Sequence, residues 1–138
     1  MWYWAYASNM NRRQMEQRLQ RVGLRWMIGT LDGYRLRFNK KSGVDQSGKA
    51  NIVPHKGESV WGVVFELSKE EIERLAEFEQ GYAQKTVEVN CPGQKAQLSV
   101  QTFIADASGA DLLPTSAYLH SIIEGARSMA CRPSIAHS

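Results

Sequence analysis

The sequence predicts an α+β fold, a small mixed and partly closed β-barrel with about three flanking helices. Three observations lead there. Short apolar or alternating runs, bounded by Gly, Pro, Asn and Asp, recur along the chain as strands do. Three other stretches carry apolar residues at helical spacing. The 138 residues are expected to form one domain, residues 1–138, long enough to bury a core without disulfide support.

Residues 2–6 read as an aromatic strand that stops at the turn-like Tyr6-Ala7-Ser8-Asn9. A basic helix is expected from about Asn11 to Val22, with Met15, Leu19 and Val22 at i, i+4, i+7 and Gly23 ending it. Leu24–Leu31 and Tyr34–Phe38 read as strands around Asp32-Gly33, a hairpin signal. Asn39–Ala50 is polar and glycine-containing, the best candidate for a flap. A short strand, Asn51–Val53, ends at Pro54, and a stronger one follows at Val60–Leu67. Ser68 opens a helix with a capping box, since Glu71 stands three residues on. Its apolar face holds Ile72, Leu75 and Ala76, and Gly81 closes the segment. Lys85–Val89 and Ala96–Ala105 pair across Cys91-Pro92-Gly93. A last helix, about Ser116 to Met129, turns Leu119, Ile122, Ile123 and Ala126 inward.

Composition narrows the function classes. Hydrophobic residues make up 43% and charged ones 22%, the balance of a globular protein rather than a disordered one. No apolar run is long enough to span a bilayer. The first residues lack the basic and apolar regions of a signal peptide, so a cytoplasmic location and no membrane partner are expected. Cys91 and Cys131 stand alone and read as free thiols. His55, His120 and His137 are scattered, and neither metal-ligand spacing nor a glycine-rich nucleotide loop is present. The net charge of +3 hides an asymmetry, because residues 1–41 hold nine Lys or Arg against Glu16 and Asp32. That excess suits a solvated helix face and a polar loop better than nucleic-acid binding, for which the helix has no interleaved aromatics.

Three places carry candidate chemistry. Glu79 lies seven residues after Ile72 and four after Leu75, on the apolar stripe if the helix reaches it. A glutamate there, near a helix C-terminus, has its pKa raised, the profile of a general acid/base. If the helix stops at Phe78, Glu79 is instead a solvated cap. The turn from Tyr6 to Asn9 offers backbone N–H groups and the Ser8 and Asn9 side chains to an anion, or else merely caps the next helix. Tyr118 opens the last helix just after Pro114 and reads as a rim or core tyrosine.

These segments, taken in order, resemble one family. Tyr3-Trp4-Ala5-Tyr6-Ala7-Ser8-Asn9-Met10 resembles the Y-F-A-Y-G-S-N-[LM] signature of the γ-glutamylcyclotransferases. Tyr34 to Asn39 and Ala50 to Pro54 resemble its following segments, and Val60-Trp61-Gly62-Val63-Val64-Phe65 its V-W-G-V-[VL]-[WY] strand. Leu75-Ala76-Glu77-Phe78-Glu79 stands where the family has L-D-x-x-E, and Tyr118 to Ala126 where it has Y-x-x-x-I-x-x-G-A. The resemblance runs from Tyr3 to about Arg127.

It implies release of 5-oxoproline from a γ-glutamyl amino acid, amine or peptide with no metal or cofactor. Glu79 would be the catalytic residue. Tyr3, Trp4, Ala5, Tyr6, Ala7, Ser8 and Asn9 would form the substrate-binding segment, and Tyr118 would close the pocket. The partner implied is a small γ-glutamyl molecule, and the resemblance leaves a homodimer open. The chain departs from the pattern at Ala7, where the family has glycine, and at Ala76, where it has aspartate. The terminal extension of longer members is not expected after Pro133. Ala7 keeps a second reading open, a binding module of the same fold without turnover. Either positive φ or a crowded substrate would make alanine costly there.

Overall fold

The computed structural model describes residues 1–107 and 109–130; Cys131 and His137 lie outside them. The fold is α+β, as expected. In chain order it comprises β1 (Trp2–Ala5), a 3-10 turn (Ser8–Met10), α1 (Arg12–Leu19), β2 (Trp26–Lys41), β3 (Gly48–Glu66), α2 (Lys69–Ala76), β4 (Tyr82–Val89), β5 (Leu98–Ala105) and α3 (Ser116–Ala130). The strands form one sheet in the order β2-β3-β1-β5-β4. Its two edges meet at Thr30 and Asn90, whose backbones exchange hydrogen bonds of 2.9 Å in each direction. One bridge of this kind leaves the barrel partly closed.

The first strand owes its central place to two glycines. Gly29 on β2 and Gly62 on β3 face each other in the ladder, and the Trp4 indole fills the space they leave. A Cβ on Gly62 would stand 2.5 Å from the Trp4 Nε1, and one on Gly29 2.8 Å from Val64. The indole N–H donates to the Gly29 carbonyl at 2.9 Å, so this fully buried tryptophan leaves no polar atom unpaired. β1 then pairs antiparallel with β3 from Trp2↔Glu66 to Ala5↔Val63 and parallel with β5 through Tyr3↔Gln101. Its C-terminal end delivers Tyr6 to Asn9 to one rim of the barrel.

Several expectations are corrected. Asp32-Gly33 is not a hairpin turn but a bulge inside the continuous β2. The pairing jumps from Asp32↔Ser59 to Tyr34↔Pro54, and positive φ at Gly33 (83°) and Gly57 (88°) absorbs the bend. Asn51–Val53 and Val60–Leu67 accordingly belong to one long strand. The true reversal, at Ser42–Ser47, is tighter than a twelve-residue flap. The Ser42 N–H donates to the Ser47 carbonyl at 2.9 Å, and Asp45 accepts from the Ser47 N–H and hydroxyl. Asn39 is buried instead of looped out.

Helix ends also differ. α1 stops at Leu19 because Gln20 takes the left-handed conformation (φ 52°) and leaves Val22 84% exposed. α2 has the expected capping box, Ser68 with Glu71, but ends at Ala76, which is exposed. In α3, Ile122, Gly125 and Met129 face inward, with Ala126 partly buried, while Leu119 and Ile123 are exposed. The inward stripe is rotated because Gly125 lets α3 approach the turn before α1. A Cβ there would stand 3.0 Å from the Asn11 nitrogen.

Candidate active site

Glu79 is neither on a helix nor a solvated cap. After α2 ends, tight turns carry the chain on: the Phe78 N–H donates to the Leu75 carbonyl at 2.9 Å and the Glu79 N–H to the Ala76 carbonyl at 3.1 Å. Gly81 (φ 84°) then reverses the chain into β4, and the Tyr82 N–H donates to the Glu79 carbonyl at 3.1 Å. Phe78 is left half-exposed, while Glu79 turns inward and lines a pocket of about 310 Å3, counted out to its open mouth.

The other walls come from five elements. β1 and the turn after it supply Tyr3, Tyr6, Ala7, Ser8 and Asn9; β3 supplies Ala50, β4 Tyr82, β5 Phe103 and α3 Tyr118. Seven of the residues singled out in the sequence thus meet in one place, Glu79 and Tyr118 with Tyr3, Tyr6, Ala7, Ser8 and Asn9. Trp4 and Ala5 do not line the pocket; both are buried in the sheet.

The polar contacts give the pocket a direction. Asn9 Nδ2 donates to Glu79 Oε1 at 2.7 Å and to the Tyr3 hydroxyl at 3.0 Å. Tyr6 donates to the Phe103 carbonyl at 2.6 Å. Ala50 is clamped between two tyrosines: Tyr82 donates to its carbonyl at 2.6 Å and its N–H donates to the Tyr118 hydroxyl at 2.9 Å. In the bonds made among the described residues, the Tyr3 and Tyr118 hydroxyls act only as acceptors, so each retains a proton to donate. A buried asparagine on β3 ties the long β2–β3 ribbon to this rim. Asn51 pairs its side chain with both the N–H and the carbonyl of Ala105, at 2.9 and 3.0 Å, and donates to Asn39 at 3.1 Å.

Burial raises the pKa of Glu79, opposed by the Arg18 guanidinium and the Asn9 hydrogen bond. Burial likewise pushes Tyr3, Tyr6, Tyr82 and Tyr118 above the ordinary tyrosine range. These four phenols therefore keep their protons at physiological pH, and Glu79 is the one carboxyl among the residues lining the pocket. Ala7 has φ −137°, so it does not take the left-handed conformation that would call for glycine. The residue itself lines the pocket.

Sequence reasoning missed Tyr82, Ala50, Phe103 and Arg18. Tyr82 follows Gly81 directly, and a tyrosine just past the closing glycine was the one available signal. Arg18 was read as part of a solvated face, yet its Nη1 donates to Asn9 Oδ1 at 2.6 Å and its guanidinium lies 4.8 Å from the Phe78 ring centre. Other basic residues of the first 41 pair elsewhere: Arg21 with Glu71, Arg35 with Glu58 and Arg37 with Asp111. A wider outer groove continues from the pocket past Glu79, Tyr82 and Tyr118, and Arg18, Lys40, Lys49 and Glu77 line it.

Competing chemistries find no support in the geometry. Among the described residues no three His, Cys, Asp or Glu side chains gather as metal ligands. Cys91 is buried, and burial raises its thiol pKa away from a nucleophilic thiolate. His55 pairs with Glu58 at 3.0 Å on the ribbon. No helix among the described residues is long and apolar enough to cross a membrane.

Comparison with known proteins gives the same direction. A family model described as "Gamma-glutamyl cyclotransferase, AIG2-like" matches residues 3–120. A search of curated protein sequences finds no significant match. Among solved structures, one described as a γ-glutamyl cyclotransferase is 24% identical with a TM-score of 0.82, covering 95% of this chain and 80% of that one. An uncharacterized human protein is 23% identical with a TM-score of 0.80, covering 94% and 80%. A cyclotransferase specific to glutathione from yeast is 13% identical with a TM-score of 0.64, covering 96% and 92%. At these identities the likeness is one of fold.

Proposed function

The chain belongs to the γ-glutamyl cyclotransferase, AIG2-like family, and on that premise we propose that it is an enzyme releasing 5-oxoproline from a γ-glutamyl amino acid, amine or peptide. The observation that carries this reading is Glu79, a carboxylate facing a small pocket, bonded to Asn9 and held above its ordinary pKa by burial. The reaction needs one group that takes a proton and later returns it. The substrate's α-ammonium gives a proton to Glu79, and the freed amine attacks its own γ-carbonyl. The new C–N bond closes a five-membered ring. Glu79 then passes that proton to the departing nitrogen as the original amide bond breaks, and the second proton, shed by the ring nitrogen on attack, leaves with the released amine as its ammonium form. A carboxylate whose pKa lies nearer neutrality serves both directions better than an ordinary glutamate.

The remaining residues bind and orient. Backbone N–H groups at the Ala7–Asn9 turn take the α-carboxylate or the developing oxyanion. The hydroxyl protons of Tyr3 and Tyr118 are free to donate to the glutamyl unit. Holding the glutamyl chain folded supplies much of the acceleration, since nucleophile and carbonyl belong to one molecule. The leaving group points into the outer groove.

The test is 5-oxoproline release from a panel of γ-glutamyl amino acids, amines and peptides, alongside Glu79→Gln. Release by the wild type that falls roughly 10²- to 10⁴-fold in the variant, the usual worth of an acid/base group, is the expected outcome. Ala7 favours a second reading, a binding module whose pocket the methyl narrows. Under it the wild type releases nothing and Ala7→Gly restores turnover. Silence from both proteins across the panel removes the enzymatic reading.

A further inference from the structure

Asn9 stands between two opposite charges. Its Oδ1 accepts from Arg18 Nη1 at 2.6 Å and, more weakly, from Gln14 Nε2 at 3.4 Å, while its Nδ2 donates to Glu79 Oε1 at 2.7 Å. A guanidinium has donors and no acceptor, so the amide has one orientation in which all these contacts are satisfied. Rotated by half a turn, it would set an NH2 against the guanidinium and an oxygen against the carboxylate, with repulsion at both ends. The cation therefore selects the face that the amide shows to Glu79.

We propose that Arg18 is a positioning residue, which acts through Asn9 to keep the Glu79 carboxylate aimed into the pocket and available as a base. Its role in turnover rests on the reading of Glu79 given above; its hold on the carboxylate does not. Among the described residues no direct ion pair joins Arg18 to Glu79. The interposed neutral amide has a chemical consequence. A direct charge-assisted fork would hold the carboxylate ionised and weaken it as a proton acceptor. A polarised amide offsets part of the burial cost and leaves the proton exchangeable. Arg18 is itself held in place, in the last turn of α1 with its guanidinium over the Phe78 ring.

The other titratable groups around Glu79 do not duplicate this. Tyr3 on β1, Tyr6 beyond it, Tyr82 on β4 and Tyr118 on α3 are neutral phenols. Lys40 on β2 donates to the Lys41 carbonyl at 2.8 Å, and Lys49 on β3 lies 4.0 Å from the Tyr118 ring centre. Glu77, at the end of α2, lines only the outer groove.

The experiment follows the Glu79 carboxyl carbon by NMR through a pH titration, with the resonance assigned by its loss in Glu79→Gln. Wild type, Arg18→Met and Arg18→Lys are compared. The expected result is a midpoint raised by about one pH unit in Arg18→Met, the low end of what a nearby guanidinium does to a carboxylate. Arg18→Lys, which keeps the charge, should recover at least half of that shift. The acidic limb of kcat/KM for 5-oxoproline release should move in the same sense. A midpoint unchanged in Arg18→Met, or raised as far by Arg18→Lys, overturns the proposal. If Arg18→Met proves unstable, Arg18→Gln carries the same expectation. Absence of 5-oxoproline release in the wild type would remove the assigned reaction, and the titration would still decide the role of Arg18.

Discussion

Glu79 is in tension with the fold that holds it. Its folded-state pKa is raised by burial against the partial relief from Arg18 and Asn9, so the unfolded chain ionises at lower pH than the native one. Between the unfolded value, about 4.3, and the folded one, the unfolded state binds fewer protons, and stability falls as pH rises. The penalty is absent below that window and complete above it. Glu79→Gln keeps an oxygen for Asn9 and removes the charge. The variant should therefore melt at a higher temperature than wild type at pH 7.5, and the gain should vanish near pH 3.5. Thermal melts at the two pH values check this; equal melting temperatures at pH 7.5 would mean the carboxylate costs the fold nothing.

At the scale of elements, the pocket depends on how closely α3 seats against the turn before α1. Gly125 permits that approach, because its missing Cβ would stand 3.0 Å from the Asn11 nitrogen and 3.3 Å from its Cα. Asn11 caps α1 and lies two residues from Asn9. Gly125→Val forces the two apart, at a cost of about 1–3 kcal/mol for overpacking. It also separates Tyr118, on α3, from Asn9 on the turn. Assayed where it is fully folded, the variant should still lose roughly 10- to 100-fold in kcat/KM, as expected for misplacement near 1 Å. Loss of stability with full activity would show that the pocket tolerates a shifted α3. The ribbon obeys a similar logic, since Asn51 imitates a strand partner for Ala105 and so holds Ala50 against Tyr82 and Tyr118.

For the whole molecule, charge placement speaks to the substrate. The outer groove presents Arg18, Lys40 and Lys49 against Glu77, a surplus of cations where the leaving group of the proposed reaction would emerge. Among the described residues neither lysine has a carboxylate partner within ion-pair distance. A leaving group with its own carboxylate should be preferred over the same group as an amide. γ-Glutamyl-alanine should give a higher kcat/KM than γ-glutamyl-alaninamide, by about 3- to 10-fold for exposed charge contacts. Lys40→Met with Lys49→Met, or added salt, should narrow the ratio. A ratio of one in the wild type would remove the lysines from recognition.

The elements and the family were legible in the sequence because their signals are local. The capping box at Ser68 marks where a helix starts, and the stripe of Ile72 and Leu75 records which side of that short segment meets water. Glu79 was legible only as an alternative between a buried carboxylate and a solvated cap, and the first rested on an incomplete reason. Helical spacing carried it onto the apolar stripe, whereas the helix ends at Ala76 and a turn brings it inward. Gly33 and the Asn39–Ala50 segment misled because turn residues serve a bulge as readily as a hairpin, and only strand pairing distinguishes them. The motifs Y-A-S-N, F-E and Y-L-H did not by themselves say that they meet. Tertiary structure decided that, through Gly29 and Gly62 making room for Trp4, Gly125 admitting α3, and Thr30 joining Asn90 across the sheet edges. It also set Arg18 against Asn9, nine residues away, and Asn9 against a glutamate in the turn after α2. Contacts of that kind leave no periodic trace, since they depend on packing between elements rather than on the face that any one of them turns to water.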